Sequence, residues 1–176
     1  MLVCGYSPEA SNSVLLYNWG GATASSVFGE SEWWRLPVSV FLHTGLFHII
    51  GNLVTYCLMV SFIQSFLRAH NICFTFLLSG VFSVWVGLYF SGGGVVGASG
   101  GVFGLMGATI ALCLLPRRRH KSESKAILII TSVLMFINLF FSLSGGISFS
   151  GHVSGLLAGA VIGWLLYRYE HRERMY

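Results

Sequence analysis

Ser99 stands in the run Gly97-Ala98-Ser99-Gly100, inside a stretch from Ala69 to Pro116 that carries no acidic or strongly basic side chain. His152 stands in a second such stretch, from Ala126 to Tyr167. A serine hydroxyl attacks a carbonyl only when a neighbouring base takes its proton. A neutral imidazole, with an unperturbed pKa of about 6.5, suits that role. Both residues lie where polar groups are costly and rare, which makes each a functional candidate. The chemistry the pair could do is hydrolysis of a peptide bond at membrane depth.

A third member would be a carboxylate that orients the imidazole. The chain has no aspartate, and its glutamates (Glu9, Glu30, Glu32, Glu123, Glu170, Glu173) all lie outside the apolar runs. Only a dyad is possible. Phe103, one turn after Ser99, could stack on His152 in place of a carboxylate, although periodicity alone favours an ordinary apolar packing residue. The oxyanion formed on attack needs preorganised donors. The first amides of a helix opening at Ser99 would serve. His48 and Asn52, at i and i+4, share a helix face and can both donate. His43 lies at the membrane entry and reads as a structural group.

The elements that must position these groups are membrane spans. A bilayer core takes about 20 apolar residues as a helix. The runs predict spans at Leu46–Leu67, Ile72–Phe90, Ser99–Leu115, Ala126–Leu143 and Gly151–Tyr167. The fold class is therefore all-α, a polytopic transmembrane bundle of about five spans. Arg68, the cluster Arg117-Arg118-Arg119-His120-Lys121 and the run from Arg168 to Arg174 mark cytoplasmic ends. Residues 1–42 then form an external segment and interface loop, 43–169 the membrane domain, and 170–176 a cytoplasmic tail. Trp33-Trp34-Arg35 reads as an interfacial anchor, or as part of a short soluble cap. At about 1.5 Å per residue, His48 lies roughly 30 Å from Arg68, Ser99 roughly 27 Å from Arg117, and His152 roughly 24 Å from Arg168. Singly, each could be hydrogen-bonding glue between helices. Together, at one depth near the outer face, they mark a site.

Glycines suggest how the pair meets. Gly151, Gly155, Gly159 and Gly163 recur every four residues on the last span, and Gly97, Gly100, Gly101, Gly104 and Gly107 crowd the third. Small-residue faces let helix backbones approach closely, and this holds whether or not chemistry follows. If the two faces meet, Ser99 and His152 come within reach. Ser91-Gly92-Gly93-Gly94 reads as a flexible loop that drops the chain to the third span below the surface.

Composition excludes rivals. The chain is 55% hydrophobic and 9% charged, with mean hydropathy +0.75, unlike a soluble domain. Its +4 charge sits at the ends of apolar runs, so nucleic acid is not an expected partner. No HExxH or CxxC spacing suggests a metal, and no cofactor is expected. Two aspartates for an aspartyl intramembrane protease are lacking. Cys57, Cys73 and Cys113 read as small packing residues, and Cys4 stands alone. A channel would need a continuous polar path, whereas the polar residues here are expected at one depth. Nothing in the residues sets an oligomeric state.

Trp33-Trp34-Arg35, the run from His43 through His48 to Asn52, Gly97-Ala98-Ser99-Gly100, and His152 with Gly155 and Gly159 resemble, in order and spacing, the rhomboid intramembrane serine proteases. The resemblance runs from about residue 30 to residue 167. It implies Ser99 as nucleophile, His152 as general base, and His48 and Asn52 as oxyanion donors beside the Ser99 amide. Gly97, Gly100 and Phe103 would support them. It also implies single-span membrane proteins as substrates, cut near the outer surface of the bilayer. The family core has six spans, the first before the Trp-Arg loop; here only Met1–Tyr6 could be its tail. A chain lacking that span also fits an inactive rhomboid-like chaperone that binds membrane segments without cutting them. The position of Phe103 is often tyrosine in the family.

Overall fold

The computed structural model describes residues 8–91, 93–115, 121–142 and 148–172. Met1–Tyr6, Cys4, Gly92, Arg117–His120, Glu173 and Arg174, all used above, lie outside the described residues. In chain order the elements are α1 (Pro8–Asn18), β1 (Ala22–Thr23), a π-helical turn (Ser25–Gly29), α2 (Arg35–Ser39), α3 (Leu46–Ile63), α4 (Ala69–Ser91), β2 (Gly94–Val95), α5 (Ser99–Cys113), α6 (Lys121–Ser142) and α7 (Phe149–Glu170).

Helices α3, α4, α6 and α7 are long and apolar enough to cross a bilayer. α5 is not: its 15 residues reach only about 22 Å. It can be short because it is the centre of the bundle. Every residue from Gly100 to Thr109 is buried, as expected of a helix that is apolar on all sides. Phe103, Leu105, Met106 and Leu112 of α5 pack with Met59 and Ile63 of α3 and Ile72 of α4 in the main core. The bundle's outer faces are apolar in their turn: Phe47 on α3 and Phe136 and Phe140 on α6 are exposed.

The glycines do what their spacing suggests. A Cβ at Gly155 would meet the Gly100 backbone, one at Gly159 the Gly104 backbone, and one at Gly107 the carbonyl of Leu156. α5 and α7 therefore touch backbone to backbone. On its other side, α5 seats Gly100 and Gly104 against Ser83 and Ser79 of α4.

Several expectations need correction. Polar residues are not confined to one depth: Asn71, Thr75, Ser79 and Ser83 form a buried stripe along α4. It stays dry-compatible because Thr75 Oγ1 donates to the Asn71 carbonyl (2.8 Å) and Ser79 Oγ to the Thr75 carbonyl (2.5 Å). Cys57 and Cys73 are exposed on the outer surface of the bundle. An apolar run gives no clue to which side of its helix turns inward. The glycine run after Ser91 is not simply a flexible loop, since Gly94 and Val95 pair antiparallel with Thr23 and Ala22.

The segment before α3 is held by Arg35, whose side chain turns inward. Trp33 and Trp34 are half exposed, but Arg35 is only 7% exposed. Its guanidinium donates to the carbonyls of Tyr17 (2.6 Å) and Gly21 (3.2 Å) and to the Glu32 carboxylate (2.6 Å). The rings of Tyr17 and Trp34 flank it at 4.2 and 4.6 Å. Arg35→Ala is expected to destabilise the segment, because each buried acceptor left without a donor costs about 1–3 kcal/mol. Arg35→Lys should not restore it, since an ammonium lacks the planar fork. Thermal unfolding of the two variants checks this; a wild-type transition in Arg35→Ala would refute it.

Candidate active site

α5 opens at Ser99 because the chain turns sharply two residues earlier, at Gly97. Gly97 has φ +129°, a conformation L side chains rarely adopt, and a Cβ there would press on the His48 ring. Its N–H donates to the Ser39 carbonyl at 2.9 Å. Ser39 is fully buried, and its hydroxyl also accepts from the Ala22 amide at 2.7 Å. One buried serine of α2 thus ties the strand and the turn before Ser99 together.

His43 holds the next residue. Its Nε2 lies 3.5 Å from the Ala98 nitrogen and its Nδ1 3.2 Å from the Phe41 carbonyl. Both bonds form only if the proton sits on Nδ1 and Nε2 accepts. Burial pushes the pKa of this ring down and so favours the neutral, accepting form, an effect partly offset by the Phe41 carbonyl. The His43 and His48 rings meet edge to face at 5.0 Å.

α7 begins two residues earlier than its apolar run suggests, at Phe149, because Ser148 caps it. The Ser148 hydroxyl accepts from the Gly151 amide at 3.1 Å. His152 follows in the first turn. It is 6% exposed, and its Nε2 lies 2.8 Å from Ser99 Oγ. Phe103 stacks on its ring, with centroids 4.4 Å apart and planes 19° from parallel.

Ser99 and His152 open on a cavity of about 380 Å³ that Gly97, Gly100, His48 and Ser83 also line. His48 is oriented by Thr44, whose hydroxyl lies 3.2 Å from Nδ1. Asn52 lines a neighbouring recess of about 260 Å³ together with His43 and Ala98. Its buried Nδ2 finds no hydrogen-bond partner among the described residues. A buried donor in that state carries a desolvation cost that an acceptor brought to it would relieve. Among the described residues no group of three His, Cys or Glu side chains could hold a metal.

Ser39, Thr44, Ser83 and Ser148 are the residues sequence reasoning missed. For Ser148 a signal existed, a capping serine just before a glycine-rich apolar run. For Thr44 the spacing of four to His48 was a local signal; for Ser39 and Ser83 there was none, since their partners Gly97 and Gly100 lie 58 and 17 positions away.

The family model of the Rhomboid domain matches residues 30–169. The chain is 29% identical over 140 residues to the rhomboid protease GluP of Bacillus subtilis strain 168, covering 79% of this chain and 27% of that protein. It is 26% identical over 155 residues to RHOMBOID-like protein 1 of Arabidopsis thaliana, covering 88% and 40%. It is 31% identical over 132 residues to the rhomboid protease GlpG of Yersinia pestis strain Pestoides F, covering 74% and 47%. The chain thus spans between a quarter and a half of the length of these relatives.

Proposed function

The chain belongs to the rhomboid family, and on that premise we propose that it is an intramembrane serine endopeptidase working through a Ser99–His152 dyad. The observation that carries this reading is the 2.8 Å contact between Ser99 Oγ and His152 Nε2 at the wall of a cavity within the bundle.

His152 Nε2 takes the proton of Ser99 as the hydroxyl oxygen attacks the scissile carbonyl. This requires the ring proton on Nδ1. Phe103 holds the imidazole plane by stacking, in the place where a carboxylate would otherwise orient it. The new oxyanion receives the first amides of α5, the imidazole of His48 and the amide of Asn52. Asn52 reaches it from the neighbouring recess, where its Nδ2 has no other partner among the described residues. His152 then gives its proton to the leaving amine. Water entering the cavity hydrolyses the acyl-enzyme, and the same imidazole acts as base again.

The substrate is a single-span membrane protein, cut near the outer surface. Residues 1–42 are external, 43–169 form the membrane domain, and 170–176 face the cytoplasm. The bilayer is the only other partner the reading requires, and it uses no cofactor.

The purified chain, returned to a bilayer with a single-span substrate, should cleave it and should react covalently with a fluorophosphonate at Ser99. A chain that binds the segment but neither cleaves nor reacts would be a non-catalytic member instead. Within this reading, Asn52→Ala should lower kcat by about 10²–10³ and leave KM nearly unchanged. His48→Ala should cost at least as much, because its ring also fills the space over Gly97. A raised KM at constant kcat for Asn52→Ala would make the residue a substrate-binding group and remove it from the oxyanion site.

A further inference from the structure

The face that α7 turns to α5 is bare backbone at Gly155, Gly159 and Gly163, with Leu156 and Leu166 packing at its flanks. It fixes how near the two backbones come, but it offers few knobs to resist lengthwise sliding. His152 depends on the lengthwise position, since its contact with Ser99 is one hydrogen bond of 2.8 Å. A slip of about 1 Å at a catalytic group can cost on the order of 10² in rate.

The far end of α7 is tied down. Glu170 closes the helix, and its Oε1 accepts the backbone N–H of Arg68 at 3.1 Å and the side-chain amide of Asn71. These donors sit at the start of α4. Asn71 is buried and begins the polar stripe of α4, whose last member, Ser83, lines the Ser99 cavity. Both α4 and α7 therefore run from this cytoplasmic contact to the cavity.

We propose that Glu170, with Asn71, is a lengthwise latch on α7: a positioning residue that holds His152 at the depth of Ser99 from about 27 Å away along the helix. Its effect on rate rests on the Ser99–His152 reading; the latch itself does not.

The test uses the full chain in a bilayer. Glu170→Gln keeps an oxygen that accepts both hydrogen bonds, whereas Glu170→Ala removes it. Glu170→Ala should lower kcat on a single-span substrate about ten- to a hundredfold, at unchanged KM and at a temperature where the variant is folded. Glu170→Gln should match wild type, and Asn71→Ala should fall in the same direction as Glu170→Ala. A second readout needs no activity. Spin labels at Leu157 of α7 and Leu78 of α4, both exposed, should show a shifted or broadened distance in Glu170→Ala and not in Glu170→Gln. A wild-type kcat in folded Glu170→Ala would overturn the proposal, leaving Glu170 a merely stabilising contact. Equal loss in Glu170→Gln and Glu170→Ala would overturn it too, by assigning the effect to charge. If the wild-type chain cleaves nothing, the dyad reading fails, and an unchanged label distance in Glu170→Ala would still refute the latch.

Discussion

Ser99→Ala is expected to abolish both cleavage of a single-span substrate and covalent labelling by a fluorophosphonate, while thermal unfolding stays at the wild-type temperature. Removing the serine of a serine protease elsewhere costs on the order of 10⁶ in kcat, because the nucleophile and its base act as a unit. The fold should not notice. The substitution deletes one oxygen, whose contact is with His152, and Phe103 still stacks on the imidazole. The helix start is set by Gly97, His43 and Ser39, none of which uses the Ser99 hydroxyl. Alanine is also at ease where helices pack closely. Quantitative cleavage by Ser99→Ala would move the nucleophile elsewhere, and Ser83 and Ser148, which line the same cavity, would be tested next.

Gly159→Leu should inactivate the chain by a different route, through the packing that brings the dyad together. Every atom a Cβ at this position would meet closely belongs to the Gly104 backbone. No side chain is there to swing aside, so α7 must move off α5. Overpacking typically costs about 1–3 kcal/mol, and in a domain of this length each kcal/mol lowers Tm by about 2–4 °C. The loss of activity should be larger than that destabilisation accounts for, because separating the helices pulls His152 away from Ser99. Gly155→Leu, seated on the Gly100 backbone, should behave alike. Gly51→Ala on α3 meets open space and should be neutral. Cleavage and thermal unfolding measured together decide the point. Full activity and an unchanged Tm in Gly159→Leu would mean that α5 and α7 do not meet in this way.

Much of this was legible in the chain because a bilayer simplifies the reading. Runs as long as those around Ile49 or Leu134 have few fates other than a span, and a serine or histidine inside one has to be accounted for. The four-residue spacing of Gly151, Gly155, Gly159 and Gly163 encodes a bare helix face directly. Span ends were less legible. α7 starts at Phe149 because Ser148 caps it, and α3 stops at Ile63, before its apolar run ends. Hydropathy counts residues and does not see caps or turns. The burial of Arg35 was not legible for a related reason. Beside two tryptophans it looks like a headgroup anchor, and only the carbonyls of Tyr17 and Gly21, 18 and 14 positions away, turn it inward.

By itself the sequence determined the class of molecule, the long apolar helices, and which two side chains could form a dyad, because hydrophobic periodicity, glycine spacing and the lack of aspartate are local or compositional properties. The tertiary structure decided what no local pattern carries. It made the Ser99–His152 contact a hydrogen bond across 53 positions, and it buried the short α5 at the centre. It set Asn52 in a recess beside the cavity rather than in its wall, and it tied Glu170 to the start of α4. Each of these depends on the relative translation of whole helices. That translation is fixed by backbone contacts, caps and buried polar bonds between residues far apart in the chain, and no single segment contains the information.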